Sequence, residues 1–161
     1  MSTQTSNTPP PIKKIILKNI QSFPHAEIEL PPPGEMCVLT GVSDAGKTAL
    51  GARSQLKLGF DSYSTKKMIR RGTKKGHISY VYDTPDNLTV SWCFECPVDR
   101  ISKKPNADKA KTWYEIARDD ANEKNGKSII TLEGGGKGVP EAIQQITGMR
   151  PVQIGKEKIN F

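Results

Sequence analysis

Long apolar runs are missing from this chain. No stretch approaches the ~20 consecutive apolar residues that a membrane-spanning helix needs, and the opening "MSTQTSNTPPPIKK" contains no hydrophobic signal region. Both absences lead to the expectation of a cytoplasmic protein with no membrane partner. Cysteine is scarce as well: Cys37, Cys93 and Cys96 are an odd number and too few for a disulfide framework, which fits a reducing compartment. Cys93 and Cys96 form a CxxC, but no second pair follows and His77 is far away in sequence, so two strand cysteines are a simpler reading than a zinc site. Aromatic residues make up only 6% of the chain and do not interleave with its basic segments, so residue order offers base stacking no support.

Acid is in deficit too, and base takes its place. Against 17 Asp plus Glu stand 24 Lys plus Arg, for a net charge of +7. The excess is concentrated: six of the ten residues in "KKMIRRGTKK" are basic (Lys66, Lys67, Arg70, Arg71, Lys74 and Lys75), and "RISKKPNADKAK" holds five more. Such clusters attract polyanions, and nucleic acid is the usual intracellular one, so DNA is the expected partner of the first segment. The bland alternative is a solvated loop whose charges serve solubility.

The sharpest motif is "TGVSDAGKTAL". Gly41, Val42, Ser43, Asp44, Ala45, Gly46, Lys47 and Thr48 fit the phosphate-loop pattern of Gly, any four residues, Gly, Lys and Ser or Thr. Such a loop works between a buried strand and a helix. "EMCVLT" ahead of it is apolar and partly β-branched, and "KTALGARSQLKLGF" after it is rich in helix formers, with Gly59 as a stop. In that setting the backbone N–H groups cradle a pyrophosphate, Lys47 reaches the β and γ phosphates, and the Thr48 hydroxyl is a magnesium ligand. The expected cofactors are therefore ATP and Mg²⁺.

Most of the remaining chain reads as β. "IKKIILKNIQSF" and "HAEIEL" look like strands joined around Pro24, and "HISYVYDT" and "NLTVSWCFEC" flank the hairpin signal Pro85–Asn87. "ADKAKTWYEIARDDANEK" fits a helix ending at Asn125 and Gly126, although Trp113 and Tyr114 also suit a strand. "SIITLEGGG" reads as a short strand and turn, and "GVPEAIQQITGM" as a short helix between Pro140 and Gly148.

This order of elements resembles the start of the ATPase head of SMC-like DNA repair and recombination proteins, the group that includes SbcC, RecN and RecF. Asn19, Ile20, Ser22 and Phe23 match that family's hairpin phrase, Arg70 or Arg71 with Gly72 its "R-x-G" phrase, and "VPEAIQQITGM" its short lobe-ending helix. Ser43 departs from the family's usual Asn. The resemblance implies an α/β fold, the N-terminal half of an ABC/SMC-type P-loop head with an antiparallel β-rich lobe over residues 12–161, preceded by a disordered tail over 1–11. It implies ATP hydrolysis only in a complete head, because the family's Gln, signature loop, Asp-Glu strand and switch His are not found; "IITLE", ending at Glu133, is an imperfect stand-in for the acidic strand. No catalytic residue is therefore assigned. Implied partners are DNA, a second head formed with the C-terminal half and a homodimer mate, and a nuclease subunit. Two alternatives stand beside it: a small P-loop nucleotide or metabolite kinase, which should alternate strand and helix after the loop, and a non-catalytic nucleic-acid-binding module.

Overall fold

The computed structural model describes residues 9–43, 45–55, 57–58, 64–123, 126–133 and 138–149, and two short strands beyond them. Asp44, Gly59, most of the expected tail (1–8), the glycines at 134–136 and the turn residue Asn125 lie outside the described residues. Six strands make one sheet: β1 (Ile12–Ile20), β2 (Phe23–Glu29), β3 (Lys75–Tyr82), β4 (Thr89–Glu95), β5 (Lys111–Asp119) and β6 (Lys127–Glu133). Their spatial order is β2-β1-β3-β4-β5-β6, and every neighbouring pair is antiparallel. Two helices, α1 (Thr65–Met68) and α2 (Glu141–Thr147), and a separate two-stranded ribbon of β7 (Val152–Ile154) and β8 (Glu157–Ile159) complete the elements named here.

Alternation along the strands decides which face is buried. Leu17, Ile78, Trp92 and Tyr114 stand in one cross-strand row on the core side, where Leu50, Leu58, Met68 and Ile143 join them. Burying each such aliphatic side chain is worth about 1.5–3 kcal/mol, so this face supplies the main driving force for folding. Lys57 is buried over it, its ammonium 4.9 Å from the Trp92 ring centroid and donating to Thr65 Oγ1 at 2.9 Å. Gly76 is required where β3 crosses β1: a Cβ there would lie 2.1 Å from the Lys18 carbonyl oxygen. α2 ends as its sequence indicates, with Gly148 in the left-handed region at φ 69°.

Among the described residues the expected P-loop core is not present. A strand before a phosphate loop needs parallel neighbours to receive its backbone hydrogen bonds, and all six strands of the sheet are antiparallel. Residues 35–40 accordingly form no strand, and Met36 (88%), Val38 (70%) and Val42 (79%) are exposed. The residues after the loop are helical, but around a π-helical segment, Ala49–Arg53, laid over the core face rather than against a parallel sheet. This antiparallel architecture overturns the α/β P-loop fold and with it membership of the SMC-like heads. "IITLE" is a hairpin strand paired with β5, not an acidic catalytic strand. The expected helix over 107–124 is mainly strand β5, because Tyr114 and Ile116 alternate into the core.

Candidate functional site

The site is built where the excursion between β2 and β3 crosses the tip of the β1–β2 hairpin. Ile20 pairs with Phe23, leaving Gln21 and Ser22 as a two-residue turn. Asn19 (φ 57°) and Gln21 (φ 45°) both occupy the left-handed region, unusual for residues with a Cβ. Hydrogen bonds hold them there. Asn19 Nδ2 donates to the Lys75 carbonyl at 2.7 Å; Gln21 donates from its backbone N to the Met68 carbonyl at 2.9 Å and from Nε2 to the Lys67 carbonyl at 3.0 Å. Strained residues of this kind persist where surrounding structure over-determines them, often at functional sites.

Two arginines clamp the same tip. Arg53 Nη1 donates to Gln21 Oε1 at 2.9 Å, and Arg70 Nη1 donates to the carbonyls of Gln21 (3.2 Å) and Ser22 (3.0 Å). The glycine loop reaches the tip from the other side: a Cβ on Gly46, at φ 93°, would lie 2.6 Å from the Phe23 ring, so only glycine allows this approach. Around these contacts opens a cleft of about 610 Å³ whose lining includes Lys47, Arg53, Lys67, Arg70 and Arg71. Among the described residues no acidic side chain lines it. An adjoining cavity adds Lys66, whose ammonium is 2.8 Å from an Asp108 carboxylate oxygen.

The structure thus gathers the predicted residues unevenly. Gly46, Lys47 and Thr48 line the cleft, while Gly41, Val42, Ser43 and Ala45 are exposed in the loop outside that lining. Lys47 Nζ donates back to the Gly41 and Val42 carbonyls at 2.7 and 2.8 Å, so this ammonium closes its own loop. Lys67, Arg70 and Arg71 belong to the cleft; Lys74 and Lys75 lie beyond it, at a cavity on the opposite face of the sheet. Gln21 and Arg53 went unremarked in the sequence because neither stands in a motif; only the fold brings them together.

The ATP and Mg²⁺ assignments do not survive this geometry. The loop lacks the parallel strand that aims its N–H groups, and among the described residues no group of three or more His, Cys, Asp or Glu side chains could hold a metal ion. Thr48 is exposed beside no such group, so its magnesium role falls. With them fall the ATP-binding head, its ATPase activity, the repair and recombination role drawn from it, and the kinase alternative, which needs the same fold. Cys93 and Cys96 likewise have no third ligand among the described residues. Among the described residues, no helix is long and apolar enough to cross a membrane. No protein-family model matches the chain, and no curated protein matches its sequence.

Proposed function

We propose that this chain is a non-catalytic nucleic-acid-binding module that takes the phosphate backbone of DNA into the cationic cleft. The observation that carries the reading is the convergence of five cationic side chains, from the glycine loop, the helical segment and the 66–71 segment, on one cleft whose lining holds no acidic side chain among the described residues. Like charges at this density repel one another, and a polyanion relieves that repulsion while releasing its own counterions. Arginine suits the task because its fork carries five donors: Arg70 uses Nη1 to hold the hairpin tip, and a guanidinium presents further N–H groups to phosphate oxygens.

Lys67 and Arg71 are both exposed on this cleft, which makes them safer to alter than Arg53 and Arg70 with their structural bonds. The double variant Lys67→Glu/Arg71→Glu should weaken binding of a labelled oligonucleotide about tenfold or more at low salt, largely irrespective of base sequence. Fluorescence anisotropy measures this. Equal affinity for wild type and variant, with the fold intact by circular dichroism, would return the cluster to a solvated surface.

A further inference from the structure

The face of the sheet opposite the core carries a second set of side chains in register. Lys18 pairs with His77, His77 with Cys93, and Cys93 with Trp113, so these four form one row across β1, β3, β4 and β5. The row lines a cavity of about 560 Å³, whose rim includes the exposed Lys74 and Lys75. Sequence order separates Trp113 from the basic cluster, but strand pairing brings it there. The ring is half-buried and fixed in direction, because Trp113 Nε1 donates to Glu115 Oε1 at 2.6 Å. Among the described residues Glu115 is the one carboxylate in the lining, and that hydrogen bond engages it. Cys93 supplies the floor; burial, with Glu115 nearby, pushes its thiol up to about 12, so it remains an uncharged surface. Thr73 lines both this cavity and the one that adjoins the cationic cleft, and that middle cavity shares Lys67, Arg70 and Arg71 with the cleft, so the three form one path around the sheet.

We infer that Trp113 is a nucleobase-stacking platform, and that the occupant of this open sheet face is a single strand of nucleic acid whose backbone continues into the cationic cleft. Charge complementarity selects that occupant: Lys18 and Lys74, with Lys75 3.9 Å from a Glu95 carboxylate oxygen, line one cavity with an aromatic ring, the combination that tracks a phosphate backbone while stacking its bases. A duplex keeps its bases stacked on one another and cannot offer one to Trp113, so the platform predicts a preference for single strands. The proposal rests on the nucleic-acid reading of the cleft and adds to it the kind of strand and the side chain that reads it.

The test uses the whole chain, a 15-nucleotide oligothymidine and a blunt duplex of the same length. Trp113 fluorescence should be quenched on saturation with the single strand, with buried Trp92 as the residual signal. Trp113→Leu should lose about tenfold or more in single-strand affinity while its duplex affinity and salt dependence stay unchanged; Trp113→Phe, which retains a ring, should lose less. Absence of quenching in wild type, or Trp113→Leu within twofold of wild type, overturns the platform. The cleft reading fails separately: quenching and Trp113 dependence that persist unchanged in Lys67→Glu/Arg71→Glu leave the platform standing and remove the cleft. Should Trp113→Leu not fold, the wild-type quenching and the Trp113→Phe affinity still decide.

Discussion

Tyr80 and Tyr82 lie two residues apart on β3 and are both buried, yet their hydroxyls meet different fates. Tyr80 Oη shares a hydrogen bond of 3.0 Å with Ser54 Oγ, whereas Tyr82 Oη has no partner among the described residues. Burial pushes the Tyr80 phenol up to about 12 and holds Tyr82 further above its ordinary range, so both stay neutral. A buried hydroxyl without a partner costs about 1–3 kcal/mol, while a satisfied one contributes about 1 kcal/mol. Tyr82→Phe should therefore stabilise the protein by about 1 kcal/mol and Tyr80→Phe destabilise it by a similar amount, measured by urea unfolding. Equal losses from both would show that Tyr82 has a partner. His77 gives a residue-scale pH effect. Burial lowers its pKa first, with nearby Lys18 acting in the same direction, His25 adding slightly and Glu115 opposing. The unfolded chain thus binds a proton more readily than the native one. Its contribution is fully present above about pH 6.5 and is lost as pH falls through the lower native value. His77→Gln should flatten the decline in melting temperature between about pH 7 and 5; an unchanged acid limb would show that His77 titrates normally.

At the scale of elements, the β1–β2 hairpin decides whether the cleft exists. Its tip depends on Asn19, which combines a left-handed backbone with a bond to the Lys75 carbonyl. Asn19→Ala loses the bond and keeps a Cβ in the left-handed region without the polar side chain that lets Asn tolerate it, at a combined cost of about 2 kcal/mol. Asn19→Gly loses the bond but also relieves the left-handed strain by removing the Cβ, and should cost less. If differential scanning calorimetry ranks the two the other way, the left-handed conformation is not what Asn19 is there to supply. This hairpin also shows how far the sequence could be read. Both strands were legible from their apolar patterns, but the turn was expected at Pro24, and it falls at Gln21 and Ser22 instead. Proline is tolerated inside β2 because β2 is an edge strand, which can do without one donor. Pairing of β3 with β4 around Pro85–Asn87 and the stop of α2 at Gly148 were legible for the opposite reason: local turn and capping chemistry determines them. "EMCVLT" misled because its composition suits a core strand, while membership of a sheet depends on neighbours that no local window shows. The site was half legible: Lys67, Arg70 and Arg71 announce themselves as a basic run, but Arg53, Gln21 and the row ending at Trp113 depend on long-range register.

At the scale of the whole molecule, charge and architecture point the same way. An excess of seven positive charges is not spread evenly: the cleft, with no acidic side chain among its described residues, and the lysines near Trp113 hold much of it. Several other basic side chains are met by acids, as Lys14 is by Glu27 and Glu29, Lys66 by Asp108, Lys75 by Glu95, and Arg118 on β5 by Asp86 in the turn of the β3–β4 hairpin. Asp86 is held below the usual carboxylate range chiefly by the hydrogen bond from Arg118, with Thr84 assisting. Pairing of that sort consumes charge, and the lack of acidic lining among the described residues is what sets the cleft apart.

The salt dependence of single-strand binding tests the central claim most directly. Each backbone phosphate neutralised on a single strand adds about −0.7 to the slope of log K against log salt concentration. If Lys67 and Arg71 each neutralise one phosphate, Lys67→Glu/Arg71→Glu should make the wild-type slope shallower by about 1.4, or by more if charge reversal expels further contacts. Parallel lines for wild type and variant, or binding by wild type that does not weaken with salt, would contradict the account.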